Sequence, residues 1–303
     1  MSITARNISK YYGRQKALNK VSFEVGNGEI IGFLGPNGAG KSTLMKILTG
    51  YIRPSMGEAE IQGNSVLSDR LKVQRQIGYL PEQNPLYPDQ YVREYLRFQA
   101  KIHHTSKGRI ETVIKQTGLL PEANKKIEQL SKGYQQRLGL AATLLHDPPV
   151  LILDEPTTGL DPNQLSEIRE LIKSIGKEKT IFLSTHIMRE VEAICDRVII
   201  INNGEVVADR NLEELREENE QIIVVEFNFR VEKIALERIA KVKHVINPQG
   251  FKYELTFDTK KDMRPAVFDY AHDSGLKILQ LHTKNKNLEE LFRDLTQNQP
   301  QTH

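Results

Sequence analysis

The stretch Gly35-Pro36-Asn37-Gly38-Ala39-Gly40-Lys41-Ser42 satisfies G-x-x-x-x-G-K-[ST] at every defined position. That spacing suits a polyphosphate. Glycines let backbone N–H groups curl around phosphate oxygens with no Cβ in the way, and a helix starting there adds its dipole. On this reading Asn37, Gly38, Ala39 and Gly40 wrap the phosphates and Lys41 neutralises the β- and γ-phosphates. Ser42 offers a hydroxyl to Mg²⁺, and Thr43 contacts the α-phosphate. An apolar strand pattern, "EIIGFLG", precedes the loop and an amphipathic "KSTLMKILTG" follows it, the context the pattern requires. A purely structural glycine turn is the competing reading. The expectation is a nucleoside triphosphate.

A second group follows in "VLILDEP", where Asp154 and Glu155 close a buried apolar run. Parallel sheets gather ligands at the carboxyl ends of their strands, so this pair should share an edge with the phosphate loop. Asp154 would hold Mg²⁺, directly or through water, leaving Glu155 to orient and deprotonate an attacking water. His186 ends "TIFLSTH" and should reach the same edge, to hold the γ-phosphate or the water. It reads equally as a surface group beside a helix start. Asp161, with Pro162 and Gln164 behind it, is a good helix start in its own right. A further helix start, "LSKGYQQR", has Ser131 as its N-cap candidate and runs into "LGLAATLL". One chain thus carries two anion-friendly helix starts.

These groups need a scaffold. Residues 1–215 alternate strand and helix patterns, the mark of an α/β fold with a mainly parallel sheet. Over about 85–148 the pattern turns helical, in "YVREYLRFQAKIH", "KGRIETVIKQTG" and "YQQRLGLAATLLH", and reads as an insertion. Asn202-Asn203-Gly204 joins "RVIII" to "EVVAD" as a hairpin. A charged stretch, "NLEELREENEQ", then leads to residues 221–296, which scan as β-α-β-β-α-β, the ferredoxin-like order. A last helix should begin with a capping box from Asn287 to Glu290, and residues 297–303 read as a disordered tail.

Composition narrows the class. A net charge of +3 over 303 residues, with both signs interspersed, leaves no basic stripe, and no nucleic-acid partner is expected. The single cysteine, Cys195, excludes a disulfide framework. The N-terminus "MSITARNISKYY" lacks the apolar core of a signal peptide, and no apolar run approaches the roughly 20 residues of a membrane span. A reducing, cytosolic setting is the expectation.

Taken together, these segments resemble the nucleotide-binding subunit of an ABC transporter. "GPNGAGKST" looks like its Walker A motif, "VLILDEP" its Walker B, "GLD" its D-loop and "STH" its switch histidine. Tyr12 sits where the family has an aromatic that stacks on adenine, and "LSKGYQQR" where it has the LSGGQ signature. The resemblance implies a P-loop NTPase ABC cassette with a helical insertion, followed by a small α+β ferredoxin-like βαββαβ domain. It implies ATP and Mg²⁺ as ligands and a head-to-tail dimer with a second copy. There, Ser131 and Gly133 of one chain would complete the ATP site of the other.

Two departures stand out. Lys132 and Tyr134 replace a glycine and the glutamine of the signature. Glu82 occupies the Q-loop position in "IGYLPEQNPLYP", with Gln83 next to it, leaving open which faces the metal. Glu82 is taken as a catalytic candidate beside Glu155 and His186, and Gln83 as a metal ligand with Ser42 and Asp154. The tail domain resembles exporter-type cassettes of the drug-resistance and ABC-2 class. More narrowly, "LPEQNPLY", "YVREYL" and the signature helix resemble the gliding-motility-associated subunit. These resemblances imply an ATPase at the cytoplasmic face of the inner membrane, driving a separate integral-membrane permease that docks near "LYPDQYVREYLRF". A soluble ABC ATPase acting on ribosomes or nucleic acid is the alternative, and a degenerate, ATP-binding adaptor a further one.

Overall fold

Two sheets share the core of the first unit. In the computed structural model, which describes residues 1–217, 220–259, 261–284, 288, 292, 293 and 295, β1 (Ile3–Tyr12) and β2 (Gln15–Val25) form an antiparallel pair. In β2 the buried Leu18, Val21, Phe23 and Val25 are separated by exposed or half-buried residues, the period of a strand with one wet face. β3 (Ile30–Leu34) is buried at every residue and runs into α1 (Lys41–Leu48). β4 (Met56–Ile61) and β5 (Asn64–Ser65) complete the first sheet, in the order β2-β1-β4-β5.

α2 (Arg70–Gln76) and β6 (Ile77–Leu80) come next. Sequence patterning expects neither, because α2 buries only Val73 and β6 is four residues long. The helical region holds α3 (Val92–Ile102), α4 (Lys107–Gln116) and α5 (Lys132–Leu144), with single 3₁₀ turns at Leu120–Glu122 and Ile127–Gln129.

β7 (Val150–Asp154), α6 (Pro162–Gly176), β8 (Thr180–Thr185), α7 (Met188–Ile194), β9 (Arg197–Asn202) and β10 (Glu205–Asn211) return to the α/β pattern. The second sheet has the order β10-β9-β3-β8-β7-β6 and is parallel except for β10. β7 and β8 are buried along their whole length, as strands covered on both faces must be. Phe182 of β8 stacks on Phe23 of β2 at 5.4 Å and meets Phe33 of β3 at 5.2 Å. That trio locks the two sheets into one core.

The chain divides into Met1–Leu212 and a second unit beginning at Glu213, the first residues of α8 (Leu212–Glu217). The second unit runs β11 (Glu220–Phe227), α9 (Lys233–Leu236), β12 (Val242–Gln249), β13 (Lys252–Asp258), α10 (Arg264–Asp273) and β14 (Ile278–Lys284). Its antiparallel sheet has the order β12-β13-β11-β14. Ile223, Val225, Phe227, Tyr253, Leu255 and Phe257 alternate inward to meet Leu236, Val267 and Ala271. The helix expected between β11 and β12 shrinks to the one turn of α9, which suffices to seat Leu236. Asn287, Glu290 and the tail 297–303 lie outside the described residues.

Candidate active site

Parallel strands end on one edge of the second sheet, and each delivers part of a site. Leu34, the last residue of β3, lies beside Thr185 of β8, and Asp154 of β7 lies beside Ser184. Leu80 of β6 pairs with Leu153, so the chain after β6 emerges at the same edge. These ends bound a cleft of about 810 Å³ lined by Tyr12, Asn37, Gly38, Gly40, Lys41, Ser42, Thr43, Glu82, Glu155 and His186. Ala39 is buried behind it.

The phosphate loop is preformed. Gly38 and Gly40 have φ of 81° and 106°, conformations that glycine adopts without a Cβ penalty, and Gly40 opens α1. Lys41 folds back over the loop. Its Nζ donates to the carbonyls of Gly35 at 2.7 Å and Pro36 at 3.3 Å and lies 3.6 Å from Glu155 Oε1. Lys41 and Glu155 are each only 7% exposed, so their opposite charges interact with little solvent between them.

Glu155 is held from several sides. Its φ of 50° costs a non-glycine residue about 1–2 kcal/mol. Its N–H donates to both the carbonyl and the Oγ of Ser184, at 3.2 and 3.1 Å. The same Ser184 hydroxyl donates to Asp154 Oδ1 at 2.5 Å. Thr158 Oγ1 donates to Glu155 Oε2 at 3.1 Å, and His186 Nδ1 lies 2.9 and 3.1 Å from the two carboxylate oxygens. An ionised carboxylate only accepts, so Nδ1 carries a proton and donates it. The imidazole thereby fixes the orientation of Glu155.

The acids converge. Burial, with the charges of Asp154 and Glu82 added, pushes the Tyr79 phenol up to about 12. Glu82 and Gln83 are both exposed, but only Glu82 lines the cleft. The segment is anchored just beyond, where Asn84 Nδ2 donates to the Gln135 carbonyl of α5 at 3.0 Å. It fits there because position 139 is glycine. Ser42, Asp154 and Glu82 present only oxygen donors, the set a hard divalent cation such as Mg²⁺ takes.

Ser131 and Gly133 are not brought to this cleft. Ser131 caps α5, accepting from the Tyr134 N–H at 3.4 Å. Gly133 is buried against Gln164 of α6, where a Cβ would come within 2.9 Å of Cδ. Asp161 caps α6, accepting from Asn163 and Gln164 N–H groups, both at 3.0 Å. Sequence reasoning misses Ser184, Thr158, Asn84, Gln15, Lys16 and Asn203. Ser184 and Thr158 stand close to motif residues, but nothing in their own spacing marks them. Asn203 is legible only as a turn.

The arrangement can hold a polyphosphate against Lys41 and the loop, with a carboxylate poised over a water. Residues 18–158 match the ABC transporter family model. The chain is 38% identical to the bacitracin transport ATP-binding protein BcrA of Bacillus licheniformis, over 96% of this chain and 95% of that one. It is 32% identical to the linearmycin resistance ATP-binding protein LnrL of Bacillus subtilis, over 97% and 98%. Among solved structures it resembles an ATP-binding subunit of an ABC transporter, 32% identical with a TM-score of 0.64, over 71% of this chain and 92% of that one. It also resembles the dimeric post-hydrolysis state of the ATP-binding cassette MJ0796 with ADP and Pi, 27% identical with a TM-score of 0.63, over 69% and 98%. The phosphate loop, the Asp154–Glu155 pair and full-length likeness to these relatives converge on one statement: this chain belongs to the ATP-binding, ATP-hydrolysing subunits of ABC transporters.

Proposed function

We propose that the chain powers an exporter-type transporter by hydrolysing MgATP in a head-to-tail dimer with a second copy of itself. The observation that carries the hydrolytic role is the grip on Glu155, aimed by His186, Thr158 and Ser184. Glu155 takes the proton of the attacking water as the water's oxygen bonds the γ-phosphorus and the bond from that phosphorus to the β–γ bridging oxygen breaks, leaving ADP and phosphate. Lys41 and the loop N–H groups hold the phosphates in line. Ser42, Asp154 and Glu82 would hold Mg²⁺, which when bound neutralises charge on the β- and γ-phosphate oxygens. Ser131 and Gly133, at the start of α5 and away from this cleft, would meet the γ-phosphate bound by the partner copy.

No helix among the described residues is long and apolar enough to cross a membrane, so the membrane path is assigned to a separate permease. The receiving surface is a groove of about 340 Å³ between β6, α3 and α5, lined by Tyr51, Tyr79, Asn84, Tyr95, His103 and His146. The charges of Asp154 and Glu82 add to the burial that raises the Tyr79 phenol, and Asn84 ties the Glu82 segment to α5. Occupancy of the groove can therefore reach the catalytic acids. Residues 1–215 are taken as the motor and 221–296 as an accessory domain, working at the cytoplasmic face of the inner membrane. The relatives named for antibiotic transport and resistance support export. Participation in surface gliding belongs to the proposal and rests on the segments that resemble the gliding-motility subunit.

The test is a pull-down of tagged Glu155→Gln, with ATP and Mg²⁺, from detergent-solubilised membranes of the source cell. A stoichiometric multi-span protein is expected, and its identity separates a resistance exporter from a gliding system. Recovery of ribosomes or nucleic acid alone would overturn the transporter reading.

A further inference from the structure

The β9–β10 turn reads from sequence as a hairpin and nothing more, yet it is built into the wall of the nucleotide cleft. The Gly204 N–H donates to the Ala39 carbonyl at 3.1 Å, and the Gly204 carbonyl accepts from the Asn19 N–H at 2.8 Å. A Cβ on Gly204 would come within 2.8 Å of the Ala17 carbonyl, and one on Gly40 within 2.6 Å of the same oxygen. Turn, phosphate loop and β2 therefore meet around Ala17 with no side chain between them.

This bracing fixes Asn203. It lies at φ 49°, a left-handed conformation that asparagine tolerates better than most residues, and it lines the cleft. Among the described residues its carboxamide has no hydrogen-bond partner. The cleft has two unlike ends. At one, Glu155 meets both Lys41 and His186. At the other, Ala17 and Asn19 flank the turn, and the strand leads back through Lys16 and Gln15, which pair with Tyr11 and Tyr12. Lys10 Nζ sits 5.3 Å from the centre of the Tyr12 ring. Triphosphate chemistry belongs to the first end. The second offers the Tyr12 ring, with Lys10 and Lys16 beside it, and neutral amides, which both donate and accept. A nucleoside, with a flat base and edges and hydroxyls of both polarities, is the ligand that matches.

We propose that Asn203 is a nucleoside-contacting residue, hydrogen-bonding the base–ribose portion of the bound nucleotide and contributing to its selection. This rests on the nucleotide-binding reading of the cleft. The experiment is calorimetric titration of full-length Asn203→Gly and Asn203→Asp, beside the parent, with ATP, ADP and inorganic tripolyphosphate. Glycine and aspartate both accept φ > 0, so each keeps the turn, and Asn203→Asp decides if Asn203→Gly does not fold. The expected result is a loss of about 3- to 10-fold for ATP and ADP alike, the scale of one neutral hydrogen bond, with tripolyphosphate unchanged. Unaltered ATP and ADP affinity would overturn the proposal. So would an equal loss for tripolyphosphate, because Asn203 would then act through the phosphate loop. A parent that bound none of the three would bring down the nucleotide reading itself, and this inference with it.

Discussion

Glu155 occupies a backbone conformation that glutamate avoids, and the hydrogen bonds from its N–H to Ser184 hold it there. Strain of this kind persists where the surroundings over-determine it. Here it aims the carboxylate at Lys41 and His186 rather than along the strand. Glu155→Gln keeps size and shape but cannot take a proton. It should slow ATP turnover by about 10²-fold or more with ATP affinity nearly unchanged, as read by single-turnover kinetics and nucleotide titration. The acidic pair was legible because two adjacent carboxylates after an apolar run are local in sequence. Ser184 was not: its hydroxyl matters only because β7 and β8 lie side by side in a register that sets it against Asp154. The choice between Glu82 and Gln83 was likewise open in the sequence, since it depends on how the chain beyond β6 is anchored; Glu82, which lines the cleft, is the one proposed.

At the scale of elements, α6 is held by a cap and α5 by its neighbours. Asp161 satisfies two N–H groups at the start of α6. Asp161→Ala should cost about 1 kcal/mol of stability, seen as a lower urea midpoint with unchanged slope. Below α5, His146 stacks on His103 at 4.2 Å, and its Nε2 meets the Ile77 carbonyl of β6 at 2.9 Å. Burial, with His103 and Lys179 adding to it, pushes His146 down from its ordinary 6.5 to about 4, against the opposing pull of the Ile77 carbonyl and Asp147. Between those values the unfolded chain binds a proton that the folded chain refuses. Stability should therefore fall as pH drops from about 6.5 towards 4, with a slope below about 1.4 kcal/mol per pH unit, the limit for one whole proton. Asp147, held below the usual carboxylate range mainly by its hydrogen bond from Lys179, adds a loss in the same direction at lower pH. Urea unfolding of His146→Gln at pH 7 and pH 5 should show a smaller drop than the parent. An equal drop would place the titration elsewhere. Strongly periodic elements such as β2, β7 and β8 were readable. α2 and β6 were not, because one buried residue and four strand residues carry no period.

At the scale of the molecule, the chain joins an ATPase unit to a second unit with its own antiparallel sheet and core. Both layouts were visible in the order of strand and helix patterns. The proposed pairing of chains came from the family resemblance alone, because Ser131 and Gly133 serve the fold within one chain, as a cap and as a close helix contact. The second role proposed for them would exist only between copies. Sedimentation velocity of Glu155→Gln, with and without ATP and Mg²⁺, tests the central claim most directly, with Ser131→Arg added as a second substitution. A monomer without nucleotide, a dimer with MgATP, and a monomer that still binds ATP when Ser131→Arg is present are expected. A Glu155→Gln chain that stays monomeric at saturating MgATP would contradict it, as would a dimer indifferent to Ser131→Arg.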